Sequence, residues 1–136
     1  MIQRIQSVFL LLSSLSFLGT GFFRTAVVGV ESFEWLPMVL LGLNGLVGVG
    51  ALAAIFLYKD RKKQLQSTNL LQYGAIVALL VAFGASYLSG ALNEITTNIG
   101  AMALLVLPIL GYLLIRLASG RIKKDIALVR SMDRLR

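Results

Sequence analysis

The sequence of 136 residues contains no cysteine and no histidine. These absences exclude disulfides, thiolate or imidazole metal ligation and iron–sulfur clusters held by cysteine. They also exclude Cys–His and Ser–His nucleophile pairs. Charge is scarce as well, since 14% of the residues are charged, against about 25% in soluble domains. Because there is also no Gly-rich phosphate loop and no pair of carboxylates spaced for catalysis, we expect no enzymatic activity, metal or cofactor.

Long apolar runs take the place of charge, and hydrophobic residues make up 57% of the chain. A helix needs about 20 apolar residues to cross the hydrocarbon core of a bilayer. Four runs reach that length, at approximately residues 5–23, 36–58, 70–92 and 99–117. They are continuous rather than alternating, which favours helices over barrel strands. We therefore predict an all-α fold, an integral membrane four-helix bundle with up-down-up-down order over residues 1–118.

The basic residues are distributed unevenly along the chain. Thirteen Lys and Arg stand against six Asp and Glu, for a net charge of +7. If four helices alternate in direction, twelve of the thirteen lie on one side: Arg4, the four in residues 59–63 and the seven from Arg116 onwards. Cytoplasmic loops carry the excess of positive charge in multi-pass proteins. This pattern predicts a bacterial inner-membrane protein with both termini in the cytoplasm, and a first span that is retained rather than cleaved as a signal peptide.

Local signals predict where the third and fourth helices begin and end. Asn69, with Gln72 three residues later, resembles a capping box at the start of the third helix. The Ser119–Gly120 pair predicts the end of the fourth helix, because glycine readily terminates helices. Residues 119–136 then form a separate basic amphipathic helix, which we expect to lie in the headgroup layer on the cytoplasmic face. Its apolar stripe contains Ile122, Ile126, Leu128, Val129, Met132 and Leu135.

Small residues mark helix faces that can approach closely in a bilayer. In the third helix they recur every four positions, at Gly74, Ala78, Ala82, Ser86 and Gly90. In the second helix they recur every three, at Gly42, Gly45 and Gly48. These rows either pack the bundle internally or dock a different membrane subunit, and the sequence leaves both alternatives open. Asn44 is the clearest buried polar side chain, and we expect it to form an interhelical hydrogen bond.

A polar surface on the cytoplasmic side is the candidate site for a partner or for lipid. Its predicted members are Arg4, Lys62, Lys63, Arg121, Lys123, Lys124, Asp125, Arg130, Asp133 and Arg134. Asp125 and Asp133 fall towards the apolar side of the tail helix, where lipid headgroups do not favour carboxylates. Either they are tolerated in a helix that lies on lipid, or they contact Lys or Arg of the middle connection or of another subunit.

The two ends of the chain resemble a known family. "MIQRIQSVFLLL" at the start and "RIKKDIALVRSMDRLR" at the finish are similar to the signature ends of a bacterial family of small four-helix membrane proteins, the domain of unknown function 4293 family, best represented in Bacteroidota. The resemblance implies an inner-membrane location and the topology above, and it brings no established activity or cofactor. If function resides in the matching polar residues, Arg4 is expected to pair with Asp125 or Asp133 in one composite surface.

The membrane interior argues against transport. Proton- and ion-coupled carriers place ionisable groups inside the bilayer, and small four-helix drug exporters need an acidic residue in the first span, where this chain has Ser13, Ser14 and Ser16. Our leading hypothesis is a non-catalytic accessory subunit of a larger inner-membrane complex of respiratory or protein-export type. The alternatives are a stand-alone carrier or lipid- or quinone-binding protein, acting as a homo-oligomer, and a membrane-tethered regulator. Expected partners are other membrane subunits and anionic phospholipids. Nucleic acid is not an expected partner, and contact with the ribosome is the weakest of the alternatives.

Overall fold

The computed structural model describes residues 2–23, 35–94 and 96–133, which are helical throughout apart from short turns. Four α-helices follow in chain order: α1 (Ile2–Thr20), α2 (Leu36–Phe56), α3 (Arg61–Leu88) and α4 (Ile99–Asp133). Short 3₁₀ turns at Leu57–Lys59 and Ala91–Glu94 follow α2 and α3. No strand occurs in these ranges, so the predicted all-α four-helix fold is confirmed.

The helices form a square in which each packs against two neighbours. The contacts are α1 with α2, α2 with α3, α3 with α4, and α4 back to α1, whereas the diagonal pairs barely meet. We call the end that carries the start of α1, the α2–α3 turn and the end of α4 the basic end. At the far end, Gly90 has a φ of +74° just after α3. This left-handed conformation suits glycine and ends the helix, so Gly90 is not a member of the small-residue row.

Each of the four helices is long and apolar enough to cross a membrane. Side chains that point away from the bundle are apolar along its length; Leu15, Leu46 and Leu80, for example, are all exposed. Wide apolar exposure all around a bundle is unfavourable in water and favourable against acyl chains. The chain is accordingly a multi-pass membrane protein.

Buried residues follow a heptad along α4, with steps that alternate between three and four. The residues in this heptad are Ala101, Leu104, Pro108, Gly111, Ile115, Ala118, Ile122 and Asp125, and Ser119 is buried beside it. A sustained period of 3.5 residues is typical of helices that wrap around each other with a left-handed twist. In α3 the seam of Ala75, Ala78, Ala82 and Ala85 follows the same steps. The row with a spacing of four, of which Ala78, Ala82 and Ser86 are buried, is therefore only part of the buried pattern of α3.

The prediction that α4 ends at Ser119–Gly120 is wrong. The helix continues without a break to Asp133 and contains 35 residues, which at 1.5 Å each is about 52 Å and exceeds a hydrocarbon core of about 30 Å. Ser119 is buried and Ile122 is 1% exposed, so packing on the neighbouring helices extends past the glycine. That packing outweighs a glycine's helix penalty of about 1 kcal/mol. The tail is a projection of α4, not a separate helix on the membrane surface.

The prediction that Asn69 caps α3 is also wrong. The helix begins at Arg61, and the Asp60 side chain accepts a hydrogen bond from the Lys63 backbone N–H at 3.2 Å. The apolar run that predicts the third span starts only at residue 70, because residues 61–69 are polar. These polar residues form an amphipathic helical start, in which Gln64 and Thr68 face inwards and the lysines face outwards.

Candidate functional site at the basic end of the bundle

Polar side chains replace the apolar seam where the bundle reaches its basic end. Leu10, Ala54 and Ala118 form the last apolar cluster. Beyond it lie five buried polar residues: Gln6, Gln64, Thr68, Ser119 and Asp125. Together with Arg61 and Asn69, which they contact, we call them the buried polar layer. Because buried polar groups are costly unless they are bonded, their partners decide what this layer does.

Gln64 and Thr68 close the junction between α2 and α3. Gln64 is 2% exposed, and its Nε2 donates to the backbone carbonyl of Ala54 at 3.1 Å. That carbonyl belongs to the last turn of α2 and also accepts a hydrogen bond from the backbone N–H of Leu57. Thr68 Oγ1 in turn donates to the carbonyl of Gln64 at 3.0 Å. The side chain of Gln64 therefore acts as a cap for the preceding helix and fixes the hairpin.

Ser119 and Asn69 join α4 to α3 at the same level. The Ser119 hydroxyl donates to Asn69 Oδ1 at 3.0 Å. This contact explains both corrections to the helix boundaries. Asn69 is used for a tertiary hydrogen bond inside α3 rather than for capping, and the bond holds Ser119 in a helix that continues.

Arg61 and Asp125 form an ion pair at the outermost turn of the layer. Arg61 Nη1 lies 3.0 Å from Asp125 Oδ2, and the side chains are 33% and 12% exposed. No directed hydrogen bond from a described residue reaches this oxygen, so the contact is held by charge. The expected pairing of Asp125 with the middle connection is observed here. Arg4, the other partner proposed for Asp125, has a side chain outside the described residues.

Asp60, next to Arg61, is the exposed N-cap of α3. The backbone N–H of Lys63 holds the pKa of this carboxyl below its ordinary value, and the Lys63 ammonium, 3.5 Å from Asp60 Oδ2, adds to the effect. Both interactions favour the charged form of the cap. The start of α3 is therefore stabilised by contacts that are local in sequence.

Gln6 is the member of the layer whose amide nitrogen lacks a partner among the described residues. It is 3% exposed, and its Nε2 makes no hydrogen bond there. Gln6 lies one helical turn before Leu10, so it occupies the level just beyond the last apolar cluster. It is the contribution of α1 to the layer.

Further into the bundle, α1 and α4 approach closely. The Ser13 hydroxyl donates to the Gly111 carbonyl at 2.9 Å. A Cβ placed on Gly111 would lie 2.5 Å from Phe17 Cε2, so only glycine leaves room for the ring. Ser14, beside Ser13, is fully buried with its hydroxyl unpaired among the described residues.

Asn44 does not form the interhelical hydrogen bond that we expected. It is 2% exposed, and its Nδ2 donates to the Leu40 carbonyl of its own helix at 2.8 Å. Its Oδ1 has no partner among the described residues. The crevice beside it, lined in part by Thr20 and Leu104, is too narrow for a water-sized sphere.

The small-residue rows divide into inward and outward members. Ala78, Ala82 and Ser86 are buried, and a Cβ added to Gly74 would meet Val47 at 3.3 Å. Gly48 is buried against α1, and a Cβ placed on it would lie 2.9 Å from Leu18 Cγ. Two members of the α2 row behave differently, because no heavy atom lies within 4 Å of a Cβ placed on Gly42 or Gly45. Those two glycines leave an open surface on α2.

Comparison with known families identifies the chain. A family described as a domain of unknown function (DUF4293) matches residues 2–135. The chain belongs to the DUF4293 family. No curated protein and no solved structure is significantly similar to it. The resemblance of the two chain ends to this family is thereby confirmed, and membership assigns no activity.

The two DUF4293 signature ends converge in the structure. Gln6 from the first and Asp125 from the second are both buried at the basic end. The predicted surface cations that the structure describes are exposed around them: Lys62, Lys63, Arg121, Lys123, Lys124 and Arg130. The side chain of Asp133 and all of Arg134 lie outside the described residues. The composite surface is thus a neutral buried layer with one ion pair, enclosed by exposed positive charge.

Sequence reasoning missed Gln6, Gln64, Thr68 and Ser119 as buried members. For Gln6, Gln64 and Thr68, the spacing from buried apolar residues of the same helix carries a signal. Gln64, Thr68 and Ala75 continue one stripe of α3 in steps of four and seven, and Gln6 precedes Leu10 by four. Polar residues at positions that extend an apolar heptad indicate a buried polar layer rather than a loop.

Proposed function

We propose that the chain is a non-catalytic accessory subunit of a larger bacterial inner-membrane complex, of respiratory or protein-export type, with its basic end in the cytoplasm. The single observation that carries this proposal is the projection of α4 beyond its neighbours. Arg61, the partner of Asp125, is the first residue of α3, and α4 continues for two further turns. A helix that leaves its own bundle with an apolar stripe is suited to contact another polypeptide.

The stripe opens into a groove that we call the cytoplasmic groove. It lies between the α2–α3 turn and α4, has a volume of about 410 Å³, and is lined by Lys59, Asp60, Arg61, Lys62, Ile126 and Val129. Met132 continues the stripe and is 63% exposed. Apolar residues on one wall and exposed lysines on the other favour an acidic amphipathic segment as the occupant.

Gly42 and Gly45 support the same proposal from within the membrane. Glycines in spanning helices allow a second helix to approach closely, and among the described residues no other helix lies within 4 Å of a Cβ placed on either of these two. A helix of another subunit is the occupant that fits such a surface. Burial of Gly48 against α1 shows that the adjacent part of the same row is already used internally.

Co-purification from native membranes tests the proposal. The full chain, tagged and extracted in mild detergent or nanodiscs, is expected to bring down integral-membrane partners in fixed stoichiometry. Val129→Ser with Met132→Ser should release them, because both side chains lie on the stripe. Ala127→Ser is the matched control, since Ala127 is exposed on the opposite side of the same helix.

Two outcomes overturn the proposal. Recovery of a monomer or homodimer alone contradicts subunit status and favours the stand-alone carrier or lipid-binding alternative. Recovery of soluble proteins only, lost with the stripe variant, contradicts it in favour of a membrane-tethered regulator.

A further inference from the structure

Gly120 has no packing role that explains it. It is exposed within α4, and no atom of another helix that the structure describes lies within 4 Å of a Cβ placed on it. Gly48 and Gly111, by contrast, are each held against a side chain of α1. An exposed glycine inside a helix lowers helix stability relative to alanine. The absence of a side chain at this position leaves a notch on the outer surface of α4.

Three cations surround the notch. Arg116, Arg121 and Lys124 line an open groove of about 580 Å³ around Gly120. All three are exposed, and none of the described residues that line the groove is acidic. Asp125, next in the chain to Lys124, faces the bundle and is paired with Arg61. The groove therefore attracts anions.

The cationic groove continues into an apolar one. Leu113 and Leu117 line the groove around Gly120 and also a second groove of about 510 Å³. The second groove lies between α4 and α1, and all its lining residues are leucines apart from Ser16. The two grooves thus share a wall, with cations at one end and leucines at the other. We call the combined surface the lipid groove.

The order of these residues matches the depth profile of a bilayer leaflet. Arg116 lies 17 residues after the start of α4 at Ile99, which is about 26 Å along the helix. That distance places its Cα near the boundary of a core of about 30 Å. Arg121 and Lys124 follow at about 7 and 12 Å further out, at the level of lipid headgroups. Leu107, Leu110 and Leu113 precede Arg116 in α4 and lie deeper, at the level of acyl chains, whereas Leu117 lies at the level of Arg116.

We propose that the lipid groove is a binding site for one anionic glycerophospholipid of the leaflet at the basic end. Its phosphodiester lies among Arg116, Arg121 and Lys124, with the headgroup over Gly120. An acyl chain runs along Leu113 and Leu117 into the groove between α1 and α4. This inference is independent of the proposed subunit role, because it concerns the face of α4 opposite to the cytoplasmic groove.

Native mass spectrometry of the full chain in neutral detergent tests the site. Phosphatidylglycerol and phosphatidylcholine are titrated separately at fixed ionic strength, and the dissociation constant of the first bound lipid is compared. A basic residue near an anionic lipid contributes about fivefold in affinity. We therefore expect phosphatidylglycerol to bind at least about fivefold more tightly, and the triple variant Arg116→Gln, Arg121→Gln, Lys124→Gln to remove this preference.

Two matched controls separate the site from general charge and from folding. Lys59→Gln, Lys62→Gln and Lys63→Gln remove the same charge from exposed positions at the same end and should retain the preference. Gly120→Leu should fill the notch and weaken binding of phosphatidylglycerol. Gly84→Leu, at another glycine with no heavy atom within 4 Å, should not. Helicity and melting temperature are measured for every variant.

Three results overturn the assignment. Equal affinity for the two lipids shows that the groove does not select an anion. Equal loss in the control triple variant shows that net charge, not this surface, sets the preference. Displacement of phosphatidylglycerol by millimolar inorganic phosphate shows a site for a soluble anion rather than for a lipid.

Discussion

Arg61 Nη1 lies 3.0 Å from Asp125 Oδ2, which joins the first residue of α3 to the part of α4 that leaves the bundle. The two side chains are unequally exposed, 33% for Arg61 and 12% for Asp125. A charge that loses its partner is costly in proportion to its burial. The pair therefore predicts an asymmetry between substitutions of its two members.

Arg61→Ala should lower the free energy of unfolding by about 2 kcal/mol, because it leaves the less exposed carboxylate unpaired. Asp125→Asn should cost about 1 kcal/mol, since Arg61 can still reach water. Unfolding in SDS, followed by circular dichroism in mixed micelles, measures both. The stability losses of the two single variants should sum to more than the loss measured for the double variant. Additive losses, or a larger effect of Asp125→Asn, would show that the pair does not hold these helices.

Gly111 and Gly120 lie nine residues apart in α4 and should respond oppositely to alanine. Gly111→Ala introduces a Cβ at 2.5 Å from the Phe17 ring and should destabilise the fold by about 1–3 kcal/mol. Gly120→Ala meets no neighbour and should stabilise by about 1 kcal/mol. Thermal unfolding in one detergent compares them. Phe17→Leu should restore part of the stability lost in Gly111→Ala. If it restores none, the loss is not caused by contact with the Phe17 ring.

Ser13 and Ser14 are adjacent and fully buried, but among the described residues a partner on another helix is found for the hydroxyl of Ser13 and not for that of Ser14. Ser13→Ala removes the hydrogen bond to the Gly111 carbonyl and should cost about 0.6 kcal/mol, the average for such bonds in a membrane bundle. Ser14→Ala removes an unpaired hydroxyl and should be neutral or slightly stabilising. The same unfolding assay measures both variants, and equal effects would contradict the assigned partner.

The continuity of α4 predicts a distance. The chain has no cysteine, so Leu117→Cys with Ser131→Cys gives two unique positions for spin labels. Fourteen residues of unbroken helix separate their Cα atoms by about 21 Å. Double electron–electron resonance should give one narrow distribution consistent with that separation and with label geometry. A broad or clearly shorter distribution would show that α4 is interrupted at Ser119–Gly120.

Asp60 predicts a pH dependence for the start of α3. Its pKa is lowered from 3.8 in the folded state, so the charged carboxylate contributes stability that is fully present above pH 3.8 and is lost as the pH falls through the lowered pKa. Asp60→Ala should be less stable than the parent at pH 7, and the difference should shrink towards pH 2. Helicity-monitored melting measures it. A difference that does not change with pH would assign the effect to something other than this charge.

The fold was predictable from the sequence because apolar length alone determines which segments can cross a bilayer. Boundaries were predicted where apolarity and helicity coincide, as at the start of α2 at Leu36. The predicted boundaries were wrong where the helix extends beyond the apolar run, at Arg61 and after Ser119. Tertiary contacts decide those positions, since Gln64 and Ser119 each bond to a neighbouring helix. The spacing of the sequence can indicate that such a side chain is buried, but it does not identify the residue to which it bonds.

The candidate site was predicted only in part. Charge asymmetry located the exposed cations, and the unfavourable position of Asp125 on an apolar side indicated a basic partner. That this partner is Arg61 depends on the register between α3 and α4. The register is set by packing of the α4 heptad along the whole bundle. Asn44 was expected to bond to another helix, but its nearest acceptor is in the preceding turn of α2.

Single-cysteine accessibility tests the central claim, that the basic end of the bundle faces the cytoplasm, most directly. Ser131→Cys lies on the projecting part of α4 and Thr96→Cys lies in the turn at the far end; both positions are exposed. With a membrane-impermeant maleimide applied to intact spheroplasts, we predict that Thr96→Cys is labelled at once, whereas Ser131→Cys is labelled only after the membrane is opened. Labelling of Ser131→Cys in intact spheroplasts, with protection of Thr96→Cys, would contradict the orientation and the subunit role inferred from it.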